Sequence, residues 1–152
     1  MCLKSKTPDF SVTEKDMLVF KVVRREILTV KKDGRYGVEV VLKGCVYNAK
    51  YTYGEIYSEP EFGIDIDVRS DPKHDDVYLV GKGYHSYMDY SDASITAELL
   101  EEYDILKRQH IVLKCMIPKG TPYFISEDTR EICSKAIKIL EYPLQIPNFA
   151  NA

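Results

Sequence analysis

Apolar and polar positions change period several times along the 152 residues. LVFKVVR, residues 18–24, is apolar and β-branched and predicts a buried strand. KKDGRYG, residues 31–37, brings Asp-Gly and a second glycine, which is turn chemistry. VEVVLKGCVY, residues 38–47, predicts the strand that returns from that turn, so the two runs pair as a hairpin. YTYGEIY, residues 51–57, reads as a short strand or as a turn studded with aromatics. Residues 58–76 are acidic and punctuated by Pro60, Gly63 and Pro72. Within them IDIDV alternates as an exposed strand does, and RSDPKHDD reads as a loop. VYLVGKGYHSY, residues 77–87, returns to strand character.

The strong helical signal is SITAELLEEYDILKRQH, which predicts one main helix over about residues 91–109. Ile95, Leu99, Tyr103 and Leu106 form its apolar stripe, with Glu98, Glu101, Glu102 and Asp104 taken as the opposite face. Ser91, Asp92 or Ser94 is the expected N-cap. Lys107, Arg108 and His110 fall where the dipole favours cations. IVLKCMI, residues 111–117, is an unbroken apolar strand stopped by Pro118-Lys119-Gly120. TPYFIS and KAIKILEY predict two further short strands, and residues 143–152 a loosely ordered tail. Strands, one helix, then strands again predict an α+β domain spanning residues 1–152. Its sheet is expected to be mostly antiparallel, with the helix packed on one face.

Composition narrows the function. A formal net charge of −3 and a pI near 5.7 argue against general nucleic-acid binding. No apolar run approaches the roughly 20 residues that cross a bilayer, and MCLKSKTPDFSV holds no continuous apolar segment. A cytoplasmic location without membrane contact is therefore expected. Cys2, Cys45, Cys115 and Cys133 form no CxxC pair and are expected as free thiols. Cys45 and Cys115 fit small hydrophobes in strands. Cys2 fits either a terminal nucleophile with its own amine or part of a terminal strand with Leu3. No HExxH, GxxxxGK[ST] or GxGxxG is complete, so neither a metal nor a cofactor is expected.

Candidate chemistry gathers in GKGYHSYMDYSDA, residues 81–93. His85, placed at an expected strand-to-helix junction, suits a general base, a donor to a phosphate or ribose, or a group that only orients the turn. His74 reads as a loop residue and His110 as a dipole partner. Asp65 and Asp67 share a strand face, either as a cation site or as a solvated edge. The chain holds twelve tyrosines and no tryptophan. Tyr47, Tyr51, Tyr53, Tyr57, Tyr84, Tyr87, Tyr90 and Tyr123 cluster around turns. They fit a stacking pocket, a protein interface, or simply half-buried strands.

Three segments carry a resemblance: MCLKSK…DMLVFKVV, GYHSY ahead of a helix, and KCMIPKGTPYF followed by CSKAIKIL. In that order the chain resembles a family of small, functionally uncharacterised proteins of gut Bacteroidales and their phages. Residues 58–76 depart most from the family pattern. The resemblance points to His85, Ser86, Lys119 and Tyr123 as site residues, with host cytoplasm as the location if the protein is phage-encoded. The Gly-aromatic-His/Ser element with a C-terminal strand is also loosely similar to ADP-ribosyltransferase folds. Only Glu127 and Glu131 stand where such folds need a late catalytic glutamate.

Three functions follow as expectations. The first is a non-enzymatic binding protein, either for a small anionic, nucleotide-like ligand or for a host protein. Its site would comprise Tyr53, Tyr84, His85, Ser86, Tyr87, Lys119 and Tyr123. The second is a nucleotide-dependent transferase or hydrolase with His85 as base or ligand contact. The third is a structural, homo-oligomerising protein whose tyrosines form the interface.

Overall fold

The computed structural model describes residues 3–45, 50–64 and 78–140. Its strands are β1 (Leu3–Ser5), β2 (Ser11–Val12), β3 (Met17–Lys32), β4 (Arg35–Gly44), β5 (Lys50–Tyr51), β6 (Ile56–Ser58) and β7 (Gly63–Ile64). They continue with β8 (Tyr78–Lys82) and β9 (Tyr84–Tyr87), then, after the helix α1 (Tyr90–Tyr103), with β10 (Gln109–Ile117), β11 (Pro122–Ile125), β12 (Glu131–Ser134) and β13 (Ala136–Ile139). The fold is α+β. Ten strands form one antiparallel sheet curled into a half-barrel, and β1-β8-β7 form a small second sheet.

β3 is the spine. Its first half pairs β10 from Met17↔Ile117 to Arg25↔Gln109, and its second half pairs β4 from Val23↔Gly44 to Lys32↔Arg35. LVFKVVR is thus only the buried half of a 16-residue strand. The other half, REILTVKK, loses the continuous apolar run because it leaves the body of the sheet. Asp33 (φ 53°) and Gly34 (φ 75°) both adopt the left-handed conformation that a two-residue hairpin turn requires.

The order β2-β11-β12-β9-β3-β10-β13-β6 holds one unexpected step. β12 and β13 are separated in the chain by Lys135 alone, yet β9, β3 and β10 lie between them in the sheet. The Lys135 N–H donates to the Pro122 carbonyl, and its own carbonyl accepts from the Glu59 N–H. Curvature brings the two flanks together at that residue. β12 itself was not expected from EICS, four residues with little apolar pattern.

Alternation sorts side chains to two faces. On the concave face Val19, Val23, Leu42, Leu113, Cys115, Ile117, Ile132, Ile137 and Ile139 form the main core. On the convex face α1 covers Phe20, Val22, Tyr87 and Val112 through Ala93 and Ala97. The small sheet covers Phe124 and Cys133 through Leu3 and Val80. Leu3 therefore packs as a terminal strand residue; Cys2 lies outside the described residues.

The helix differs from expectation in three ways. It is capped by Asp89, whose carboxylate accepts from the Ser91 N–H, not by Ser91, Asp92 or Ser94. It ends at Tyr103, with Asp104 extended and Lys107 at φ 51°, so Lys107, Arg108 and His110 lie beyond its last turn. Arg108 instead bridges Asp104 and Glu26. The expected stripe is also on the outside: Ile95, Leu99, Tyr103 and Leu106 are all exposed. The small side chains of Ala93 and Ala97 let the helix axis approach the sheet, and the strands supply the bulk. At 100° per residue Glu98 and Glu102 fall within that outer stripe rather than opposite it.

Asp65, Asp67, His74, Tyr47 and residues 143–152 lie outside the described residues. Among those described, no helix is long and apolar enough to cross a membrane.

Gly83 links β8 to β9 where the two sheets meet. A Cβ there would stand 2.4 Å from Cys133 Sγ, 3.0 Å from Phe62 Cδ2 and 3.1 Å from the Ser134 carbonyl oxygen. Gly83→Ala is expected to lower unfolding free energy by about 2–4 kcal/mol in urea titration. A loss below about 0.5 kcal/mol, the scale of an ordinary surface change, would show that the two sheets are not held in this register.

Candidate functional site

The strand expected over residues 77–87 is formed, broken at Gly83, and His85 stands inside it rather than at its junction with the helix. Tyr84–Tyr87 form β9, and only Met88 and Asp89 separate it from the helix. β9 pairs fully with β12 on one side, from Ser134↔Tyr84 to Glu131↔Tyr87. On the other side it meets β3 at a single rung, Phe20↔Tyr87. Beyond that rung the two strands part.

Lys21 occupies the parting. Its ammonium donates to the His85 carbonyl oxygen at 2.9 Å and lies 5.5 Å from the centre of the Tyr51 ring. It stands on the concave face between Val19 and Val23, and only 8% of the residue is exposed. No salt bridge to Lys21 occurs among the described residues. Burial pulls its pKa below the ordinary lysine value. Burial also raises the Tyr51 phenol, so that ring stays neutral beside it. Ser86 precedes Tyr87 on β9 as Lys21 follows Phe20 on β3, so strand alternation puts both on the same face. Ser86 Oγ is buried and has no hydrogen-bond partner. The Lys21 ammonium has three donors and one accepting carbonyl, and the Ser86 hydroxyl, on the same face, is unpartnered, so both have hydrogen-bonding capacity to spare.

The expected site residues divide between faces. Tyr84 and Ser86 are on the concave face with Lys21, and Tyr123 on β11 joins them there, since Tyr84 and Tyr123 both pair with Ser134. His85 and Tyr87 are on the convex face. His85 Nε2 lies 3.7 Å from Cys133 Sγ. The Tyr87 phenol sits against Thr96 and Glu131, and burial pushes its pKa up to about 12. Tyr53 is exposed in the turn between β5 and β6. Lys119 is also exposed, its backbone N–H bonded to Asp16. The β3–β10 ladder ends at Met17↔Ile117, four rungs or roughly 13 Å from Lys21. The expected juxtaposition of Lys119 with the His85 turn is not formed at the backbone.

Burial, reinforced by the Lys21 charge, lowers the His85 pKa to about 4. The imidazole is therefore neutral at physiological pH. Cys133 is fully buried among Leu3, Val80 and Phe124, and burial pushes the Cys115 thiol up to about 12. Neither is presented as a nucleophile. A cleft of about 330 Å³ opens elsewhere, between residues 5–11 and β11 with the turn that follows it; Tyr123 and Lys6 are on its wall. Among the described residues no three His, Cys, Asp or Glu side chains converge as a metal site.

Sequence reasoning passed over Lys21. The signal was present: one lysine inside LVFKVVR, at the same strand parity as Val19 and Val23. A cation at a core position is a site candidate by default.

Comparison with known proteins finds no matching family model, no similar curated protein and no similar solved structure.

The His85 shift has a measurable consequence. Its folded pKa is below the unfolded value of 6.5, so as pH falls the unfolded chain takes the proton first. Stability is then lost between pH 6.5 and about 4, by up to about 3 kcal/mol. Urea unfolding of wild type and His85→Asn across this range should give curves that diverge as pH falls. Parallel curves would mean that His85 is solvated in the native state.

Proposed function

We propose that the protein is a binding protein for a small anionic, nucleotide-like ligand. The anion is held by Lys21 and Ser86, with the rings of Tyr51 and Tyr84 on the same face. The observation that carries this reading is the Lys21 ammonium, buried without a carboxylate partner among the described residues. Burying a charge is expensive unless it is paired. A single carbonyl and a ring face are a thin complement for it. A phosphate or carboxylate reaching the parting between β3 and β9 would supply the missing acceptors, and the Ser86 hydroxyl would donate to it. Tyrosine faces suit the aromatic half of such a ligand.

A second reading, a nucleotide-dependent transferase, draws on Glu131. This residue pairs with Tyr87 across the β9–β12 ladder, while Glu127 is exposed in the turn before β12. Of the two glutamates placed by the distant similarity to ADP-ribosyltransferases, Glu131 is the one beside the GYHSY strand. Turnover of a bound nucleotide, lost in Glu131→Gln with binding retained, would favour this reading over plain binding.

The test uses native mass spectrometry and thermal shift with NAD⁺ and nucleoside mono- to triphosphates. Wild type is expected to retain a ligand mass. Lys21→Met, similar in length but neutral, is expected to weaken binding at least tenfold, and Ser86→Ala less so. Absence of any adduct on wild type would sink the nucleotide reading and direct the search to a host protein.

Lys21→Met also reports on the charge itself. Because the folded Lys21 pKa is depressed, the folded state gives up its proton first as pH rises. The penalty for burying the ammonium is present at neutral pH and fades as pH climbs towards the unfolded value of 10.5. Wild type should therefore gain stability relative to Lys21→Met on the alkaline side, read by urea unfolding. An unchanged difference would show that the ammonium reaches water.

A further inference from the structure

Two exposed surfaces of this chain match each other in length, polarity and charge. The first is an arm, residues 26–40, where β3 and β4 run on past Arg25↔Gln109, the last rung with β10. Cross-strand pairs Ile27↔Val40, Thr29↔Val38 and Lys31↔Tyr36 set one of its faces. On it Ile27 is 46% exposed, Val38 59% and Tyr36 75%, with the Lys31 ammonium 5.5 Å from the Tyr36 ring centre. At the tip Lys31, Lys32 and Arg35 stand against Asp33 alone, three cations to one carboxylate.

The second surface is the outer stripe of α1. Ile95 is 54% exposed, Leu99 48% and Tyr103 79%, with Glu98 and Glu102 between them. The helix carries Asp92, Glu98, Glu101 and Glu102 and no lysine or arginine. A contiguous apolar stripe of this kind on a helix marks a contact surface rather than scattered exposure. From Ile27 to Lys31 the arm face runs about 13 Å, and from Ile95 to Tyr103 the helix stripe runs about 12 Å. The two surfaces stem from opposite sides of β3: α1 packs on Phe20 and Val22, whereas Ile27 and Lys31 continue the parity of Val19 and Val23. Both are free to meet another molecule, and they complement each other.

We propose that the arm of one copy lies along α1 of a second copy, with Lys31 and the tip cations against Glu98 and Glu102. The contact is head-to-tail, so each copy keeps one arm and one helix available and assembly proceeds to a ring or an open chain. This interface is independent of the concave-face site.

The test is sedimentation velocity on the full chain from micromolar to near-millimolar concentration. Wild type is expected to form species larger than a dimer that dissociate in high salt. An arm variant (K31E with Y36S) and a helix variant (E98K, E102K with L99S) are each expected to be monomeric with an unchanged circular dichroism spectrum. Mixed in equal amounts, the two variants retain one intact arm and one intact helix between them. They should form a 1:1 heterodimer and stop there. Combining K31E and K32E with E98K and E102K in one chain should restore assembly. Monomeric wild type at every concentration overturns the proposal, as does an oligomer that both variants leave intact. A mixture that remains monomeric overturns the pairing of these two surfaces.

Discussion

A single side-chain hydrogen bond holds the centre of this fold. β3 and β9 share one rung, and past it the His85 carbonyl faces a strand that has moved away. The Lys21 ammonium takes the place of the absent backbone donor. A lysine is long enough to cross that opening and strong enough as a charged donor to satisfy the carbonyl. The arrangement also fixes what lies on each side of β9. Tyr84 and Ser86 look into the curled sheet with Lys21, while His85 and Tyr87 look out towards the covering layers. The charge sits inside an apolar core, where it satisfies that carbonyl.

The outward layers follow from that division. Where β9 and β12 turn their convex face to the small sheet, Gly83 allows Cys133, Phe62 and the Ser134 carbonyl to crowd one backbone position. Where β3 and β10 turn theirs to α1, alanines bring the helix close. The two covers differ in chemistry. The small sheet contributes Leu3, Val80 and Phe62 and seals its part of the face, whereas the helix gives its small residues to the core and keeps Ile95, Leu99 and Tyr103 outside.

Much of the fold was legible in the sequence because strand periodicity and turn chemistry are local. The Asp33-Gly34 hairpin, the apolar run of β10 and the one main helix all appear as their residues suggest. The helix face was not legible. A stripe of Ile95, Leu99, Tyr103 and Leu106 has the period of a buried face, and nothing local shows that two alanines opposite it do the packing. β12 was missed because Glu131–Ser134 is stabilised by neighbours on both sides rather than by its own pattern. GYHSY was singled out for its position just ahead of the helix, and two residues separate it from α1. Its strand character was read, but alternate residues were not sorted to two faces, so residues on both were grouped as one pocket. Lys21 and Ser86 come to one face only through the meeting of strands more than sixty residues apart, which no window of sequence contains.

The one-residue step at Lys135 sets the circumference of the half-barrel. Its two flanks are joined covalently at that point and bonded there to both Pro122 and Glu59. The sheet therefore cannot uncurl by letting its edges drift apart, as an open sheet does, without breaking those bonds. Among the described residues the weakest backbone join along the sheet is between β3 and β9, which meet at a single rung. The rim at Lys135 is fixed by the chain itself, while the join between β3 and β9 rests on one backbone rung and one lysine side chain.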